Sequence, residues 1–134
     1  MDDARVQALL DKQAIHEVVL RYCRGVDRLD AQLLLLHALG RLERDRAWLI
    51  AHDTDILPAP PQVAFNALVQ RRAIGEPLAY LTGHKEFFGL DLQVDPRVLV
   101  PRPETETLVE WALAALEEVS GHAEPVSVID LGTG

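Results

Sequence analysis

The sequence predicts an α+β fold that is mainly helical, and three observations support this class. Apolar residues recur every three or four positions over much of the first 74 residues, which is the period of an amphipathic helix. Short runs of alternating apolar and polar residues flank Gly89, as in two strands joined by a turn. A further helical pattern after Pro103 leads into an apolar run at 126–131. We therefore expect a helical bundle, then a β-hairpin, then a helix and one strand.

The first predicted helix covers residues 4–26. Its apolar stripe repeats at spacings of four and comprises Val6, Leu10, Ala14, Val18, Tyr22 and Val26. The chain's single cysteine, Cys23, lies in this helix, so an internal disulfide and a cysteine-based zinc site are excluded. We expect its thiol to be buried and inert.

Three more helices complete the predicted bundle. The first is 31–39, closed by Gly40 as a helix C-terminal residue. The second is 44–52, anchored by Trp48 and Leu49. The third is 61–74, which ends at Gly75 and for which the spacing predicts burial of Val63, Ala67 and Ile74. Arg71 and Arg72 are expected to form a solvated helix end, and 77–82 an irregular connection.

The segment after the bundle predicts a hairpin and then a strand-to-helix corner. Residues 85–88 and 90–94 are the two strands of the hairpin. The prolines at 101 and 103 end the extended segment, because each fixes φ and biases the residue before it toward extended backbone. Pro103 suits a first helical turn, where its missing N–H costs nothing.

The helix from Pro103 to about Val119 is predicted to bury its apolar stripe, which comprises Leu108, Ala112, Ala115 and Val119. The apolar run at 126–131 is predicted to be a strand. Central parallel strands are paired on both edges, and partners for this one are not encoded. We expect Val126, Val128, Ile129 and Leu131 to be disordered, paired between molecules, or paired with the hairpin, because exposed strand edges recruit other chains.

Charge and composition exclude several partners. Acidic residues outnumber basic ones by 21 to 13, so nucleic acid is not expected as a direct partner, because phosphate binding needs clustered Lys and Arg. The apolar run near residues 33–39 is far shorter than the ~18 residues of a membrane span. No spacing of the five histidines predicts a metal site, and no Ser/His/Asp or Cys/His grouping predicts a catalytic one. We expect a cytoplasmic protein.

Four motifs in residues 29–134 resemble the N-terminal part of the release-factor glutamine methyltransferases, the PrmC/HemK family. In order they are Gly75-Glu-Pro-Leu-Ala-Tyr-Leu-Thr-Gly83, Lys85-Glu-Phe-Phe-Gly-Leu90, Val100-Pro-Arg-Pro-Glu-Thr-Glu106 and Asp130-Leu-Gly-Thr-Gly134. The resemblance implies S-adenosylmethionine-dependent methylation of the glutamine in the Gly-Gly-Gln motif of peptide-chain release factors. It also implies that the final helix and strand begin a truncated Rossmann-like methyltransferase domain. The family's catalytic Asn-Pro-Pro-Tyr motif is absent from the sequence, so no catalytic residue is assigned.

The same resemblance implies two groups of site residues. Gly132, Thr133 and Gly134 match family positions that contact S-adenosylmethionine, and glycines after a strand let a backbone approach such a ligand. Arg102, Thr105 and Glu106 match a loop beside the cofactor pocket. For these three residues, contact with cofactor or substrate and capping of the following helix are both open.

Residues 10–30 resemble instead the first helix of SnoaL-like proteins, which belong to the nuclear-transport-factor-2-like superfamily. In that superfamily such a helix can present ligand-pocket residues, here His16, Tyr22 and Asp27, although the curved sheet of that fold is not encoded. The two resemblances together indicate a composite chain joined near residue 30. The expected parts are a SnoaL-like helix (1–30), a release-factor-binding bundle (31–82), a hairpin linker (83–100) and the start of a methyltransferase domain (101–134).

Three functions follow as alternatives. The chain is the substrate-recognition part of a methyltransferase, inactive by itself; or a non-catalytic module that binds release factors; or a SnoaL-like ligand-binding protein, which the missing sheet argues against. Self-association through the strand at 126–131 is a further expectation.

Overall fold

The computed structural model describes residues 14–23, 26–119, 121 and 125–132 of the 134-residue chain. The chain divides into two compact units, one ending at Thr82 and the other beginning at Gly83. The first unit is helical, and the second contains a hairpin and a long helix. The predicted class, α+β and mainly α, is confirmed.

In the first unit the helices are α1 (Ile15–Tyr22), α2 (Arg28–Ala38), a 3₁₀ turn (Glu43–Asp45), α3 (Arg46–Ala51), α4 (Ala59–Ala73) and α5 (Leu78–Thr82). In the second unit the elements are β1 (His84–Phe87), β2 (Leu90–Gln93) and α6 (Glu104–Val119). The segment at 77–82, predicted to be irregular, thus contains the short helix α5.

Helix α2 lies at the centre of the first unit. Its consecutive residues Leu34, Leu35 and Leu36 are all fully buried, although successive side chains on a helix point about 100° apart. A helix that is apolar on several sides must be surrounded, and α2 packs against α1, α3, α4 and α5. Phe65 of α4 completes this core with a ring that meets Tyr22 edge-on, at 5.3 Å between centroids.

The ends of α2 and α4 follow the predicted glycine signals. Gly40 and Gly75 have φ of +68° and +99°, a region that glycine enters without steric cost. After each glycine the next N–H donates back into the last helical turn, from Arg41 to the carbonyl of Leu36 and from Glu76 to that of Arg71. These bonds form Schellman motifs, which satisfy carbonyls that a helix end would otherwise leave unpaired.

The single helix predicted over 4–26 is wrong within its described part. Ala14 has extended backbone and forms an antiparallel bridge with Ile56, so the helix begins at Ile15. The N–H groups of Ile15 and His16 donate to the carbonyls of Asp55 and Asp53. These bonds to a distant loop override the local helical pattern. Residues 4–13, 24 and 25 lie outside the described residues.

The predicted buried face of α4 is also wrong. Val63, Ala67 and Ile74 are exposed, whereas Phe65 and Val69 are buried. Apolar residues occur on both faces of this helix, so spacing alone gives two equivalent stripes. Packing of the large Phe65 ring into the bundle selects one of them.

Arg71 and Arg72 lie at the end of α4 as predicted, but their side chains are paired and not simply solvated. Arg72 Nε donates to Asp30 Oδ2 at 2.7 Å, which connects the end of α4 to the start of α2. Arg71 makes two bonds to the carboxylate of Glu76, and this contact lowers the pKa of Glu76. Cys23 is half-buried, with its thiol 3.2 Å from the carbonyl oxygen of Val19, where full burial was expected.

The predicted hairpin is confirmed. Strands β1 and β2 pair antiparallel from His84 opposite Gln93 to Phe87 opposite Leu90. Phe88 and Gly89 form the two-residue turn with φ of +50° and +74°. Positive φ at both central positions defines a type I′ turn, whose twist matches that of the strands.

The apolar stripe predicted to be buried on α6 is exposed, and no residue of this helix is buried. Leu108, Trp111 and Val119 are among its exposed large side chains. The predicted strand at 126–131 is not formed, and the described residues 125–132 do not extend the two-stranded sheet. A strand needs a neighbour for its backbone hydrogen bonds, and the structure gives this segment none. Its pairing between molecules stays a prediction.

After β2 the chain turns at Asp95. The carboxylate of Asp95 accepts the backbone N–H of Arg97 at 2.9 Å and also binds the Arg97 guanidinium. These bonds favour the charged carboxylate and lower the pKa of Asp95 to about 2. The side-chain bond from Arg97 is the largest cause.

We predict that Phe65→Ala lowers the free energy of unfolding of the first unit by about 3 to 5 kcal/mol, because it leaves a cavity in a fully buried site. Denaturant unfolding followed by circular dichroism measures the change. The control is Val63→Ala on the exposed face of the same helix, expected to change stability by less than about 0.5 kcal/mol. Equal losses in the two variants would contradict the packing described.

We also predict that Arg97→Ala raises the pKa of Asp95 from about 2 toward its usual 3.8, because the guanidinium bonds are lost. The lowered pKa means that the stabilisation is complete above pH ~4 and is lost as the pH falls through about 2. Carboxyl carbon shifts in an NMR titration measure the pKa. Arg102→Ala is the control, and an unchanged Asp95 pKa in Arg97→Ala would contradict the assignment.

Candidate functional site

The segment that leads into helix α6 is where the predicted pocket-loop residues lie. The strand predicted directly before this helix is wrong, because the chain turns at residues 96–98 and no strand is formed between β2 and α6. Helix α6 begins with turn-like bonds from the N–H of Thr105 to the Arg102 carbonyl and from the N–H of Glu106 to the Pro103 carbonyl. Pro103 therefore lies in the first turn, as expected from its fixed φ. Glu104 and Glu106 lie near the positive end of the helix dipole, which stabilises their negative charge.

Glu106 connects this corner to the hairpin. Its Oε1 accepts the backbone N–H of Phe88 at 2.9 Å. That N–H lies in the turn, outside the strand ladder, and the carboxylate gives it a charge-assisted partner. The tip of the hairpin is thereby held at the start of α6.

The structure treats the three pocket-loop residues differently. Arg102 and Thr105 are exposed. Glu106 is half-buried, and its carboxylate already accepts a hydrogen bond from the hairpin turn. The backbone of Arg102 and Thr105 supports helix entry, which is one of the two alternatives for this loop. Their contact with cofactor or substrate stays a prediction.

Of the three residues that match cofactor-binding positions, the structure describes Gly132. Its φ is +88°, and no heavy atom lies within 4 Å of the position that a Cβ would occupy. Only glycine readily adopts this backbone, and the open space allows another group to approach the main chain. Thr133 and Gly134 lie outside the described residues. Cofactor contact by this group stays a prediction.

An open cavity of about 570 Å³ in the second unit was not foreseen from the sequence. Its lining residues are Gly83, Gln93, Val94, Asp95, Arg97 and Val98. The charged wall consists of Asp95 and Arg97, which neutralise each other. The signal that could have indicated this wall is the Asp-Pro-Arg sequence directly after the second strand. These lining residues include no Ser, Cys or His, and the one carboxylate among them, Asp95, is paired with Arg97.

A groove of about 350 Å³ lies on the helical unit. It is bordered by Ile15, His16, Val19, Leu20, Arg28, Gln32, Leu49, Ile50 and Asp53. Leu20 and Ile50 are exposed, and Arg28 stands at the polar rim. The groove offers apolar contact beside two side chains of opposite charge, Arg28 and Asp53.

The three residues compared with a SnoaL-like pocket have structural partners. The Nδ1 of His16 lies 2.9 Å from the Asp53 carbonyl oxygen. The Tyr22 hydroxyl donates to the side-chain oxygen of Asn66 at 2.6 Å. Asp27 caps α2 by accepting the N–H of Leu29. All three interactions stabilise the helical unit, so these three residues have structural roles that need no ligand.

Two further properties concern the ranges that the structure describes. No three side chains among His, Cys, Asp and Glu in these ranges come together as a metal-binding group. None of the helices in these ranges is long and apolar enough to cross a membrane.

Comparison with known proteins finds relatives that share one name. Release factor glutamine methyltransferases from Bordetella pertussis and Burkholderia pseudomallei are 50% and 51% identical over 110 and 109 residues, or 82% and 81% of this chain. The protein of the same name from Aliivibrio fischeri is 40% identical over 131 residues, 96% of this chain. The chain covers 38%, 36% and 42% of these three proteins, so it spans about two fifths of their length.

The family model described as the PrmC N-terminal domain matches residues 12–83. This match crosses residue 30, and α1 contributes Ile15, Val18 and Val19 to the same core as α2 and α4. The segment compared with SnoaL-like proteins is therefore mostly included in the match, and a junction at residue 30 is not needed to explain it. The chain belongs to the PrmC N-terminal domain family.

Proposed function

We propose that this chain is the substrate-recognition part of a release factor glutamine methyltransferase. The observation that supports the proposal is identity of about 50% over four fifths of the chain to proteins with that name. The methylated group would be the glutamine of the Gly-Gly-Gln motif, as the sequence resemblance implies. Because release factors act in translation termination, we propose a cytoplasmic location.

S-adenosylmethionine would supply an electrophilic methyl group to this reaction. On the chain itself, Gly132 fits such a ligand, because its positive φ and the free space at its Cβ position allow close approach of the main chain. Thr133 and Gly134 would continue the same turn. The sequence contains no Asn-Pro-Pro-Tyr motif to hold a glutamine amide. Positioning of the reacting groups supplies much of the rate in such transfers, so the chain would not catalyse by itself.

The binding-module alternative is supported by the helical unit. A contiguous core built from α1, α2, α3, α4 and α5 is buried within residues up to 82. Such a core can keep its surface in shape without a catalytic domain. We therefore propose that this unit recognises the release factor, that residues 83–100 are a hairpin linker, and that 101–134 begin the methyltransferase domain.

We predict that the 134-residue chain transfers no methyl group, because the amide-holding motif is missing. Labelled S-adenosylmethionine, the chain and a release factor are incubated, and label in the Gly-Gly-Gln peptide is measured by mass spectrometry. The full-length relative from Bordetella pertussis is the positive control. Labelled peptide above the no-protein control would contradict the prediction.

We predict that the chain nevertheless binds a release factor, and that binding does not depend on the target glutamine. Isothermal titration calorimetry compares the release factor with a variant whose Gly-Gly-Gln glutamine is replaced by alanine. Equal affinities are expected, because the chain contains no Asn-Pro-Pro-Tyr motif that would hold the glutamine amide. Absence of saturable binding would contradict the proposed function, and loss of binding with the alanine variant would contradict its assignment to recognition alone.

A further inference from the structure

The hairpin tip combines several features that disfavour the isolated hairpin. Phe88 is the one non-glycine residue in the described ranges with positive φ. A type I′ turn favours Asn, Asp or Gly at this position, whereas a bulky side chain there is strained. Strain of this kind persists where the surroundings enforce it, and it often marks a functional site.

A hydrogen bond to helix α6 holds the strained backbone of Phe88 in place. Glu106 accepts the Phe88 N–H at 2.9 Å, across 18 residues of sequence. The bond fixes the turn against the start of α6, while Phe88 as a whole residue is left 39% exposed. One large apolar side chain is thus presented at the tip.

The strand pair adds a repulsive contact. Glu86 and Asp91 are directly opposite in the ladder, and both are exposed. Like charges at directly opposed positions destabilise a hairpin, and a two-stranded hairpin is already marginal. His84 Nδ1 lies 3.3 Å from Asp91 Oδ2, but Glu86 makes no ion pair with the part of the chain that the structure describes. A cation from outside would relieve this repulsion.

We propose that the hairpin tip, defined as Glu86, Phe88 and Asp91, is a docking surface for a basic segment of the release factor. Phe88 supplies apolar contact, and a Lys or Arg of the partner lies between the two carboxylates. Charge complementarity selects this occupant, since Glu104 and Glu106 of α6 add negative charge near the tip and the whole chain has a net charge of −8. This inference rests on the proposed function.

The test uses variants that stabilise the hairpin while removing the contact. Phe88→Asn places a residue that tolerates positive φ in the turn, and Glu86→Gln removes the like-charge pair. Both are expected to raise the thermal midpoint or leave it unchanged. Both are also expected to weaken binding to the release factor, by about tenfold for Phe88→Asn, as for an aromatic interface anchor. Glu86→Gln should in addition reduce the salt dependence of binding.

The controls are Leu99→Asn, an exposed apolar residue outside the tip, and Glu118→Gln near the far end of α6; neither should change affinity. If the wild-type chain binds the release factor and both tip variants bind it with the same affinity, the inference is overturned and the proposed function stays intact. Failure of the wild-type chain to bind would overturn both. Tip variants that change only self-association, measured by sedimentation, would show that a second copy occupies the surface and would also overturn the inference.

Discussion

The fold of the helical unit depends on the burial of α2 on several sides. Leu34, Leu35 and Leu36 follow one another and are all excluded from solvent, so neighbours must cover more than one face of the helix. This requirement sets the positions of α1, α3 and α4 around it. It also explains why both ends of α2 are closely determined, by the Asp27 cap at the start and the Gly40 motif at the end. A helix that is enclosed in this way cannot change length without displacing its neighbours.

The second unit is stabilised differently. Helix α6 contributes no buried residue, so hydrophobic burial cannot be its main support. A specific polar bond between Glu106 and the Phe88 N–H holds the start of this helix, and bonds between Asp95 and Arg97 hold the turn after β2. The two units therefore differ in kind: one has its own core, and the other is a set of surfaces held in place by a few polar contacts.

Local signals in the sequence were sufficient for much of the fold. Glycines at 40, 75 and 89 correctly marked two helix ends and the hairpin turn, because their backbone conformations are imposed locally. The errors have non-local causes. The bridge from Ala14 to Ile56 interrupts the first helix, and the buried face of α4 depends on where Phe65 packs.

In the candidate site, too, local features could be predicted from the sequence and non-local contacts could not. The start of α6 was predictable, since prolines at 101 and 103 restrict their own backbone, but the strand expected before it is not formed. The bond between Glu106 and Phe88 was not, because it joins residues 18 apart that meet only after the hairpin folds. The Asp95 turn is local and could have been recognised from an acidic residue followed two positions later by arginine. For the strand at 126–131, apolar composition indicated a propensity, whereas pairing requires a neighbouring strand.

The two tryptophans of the chain lie one in each unit, in unlike environments. Trp48 is half-buried, with its indole stacked on the His52 ring at 4.2 Å and the Arg41 guanidinium 3.8 Å from its centre. Trp111 is 72% exposed on α6. Intrinsic fluorescence therefore contains one shielded emitter from the helical unit and one that a soluble quencher reaches freely. Selective quenching separates the two signals, so the unfolding of each unit can be followed in a single unlabelled sample.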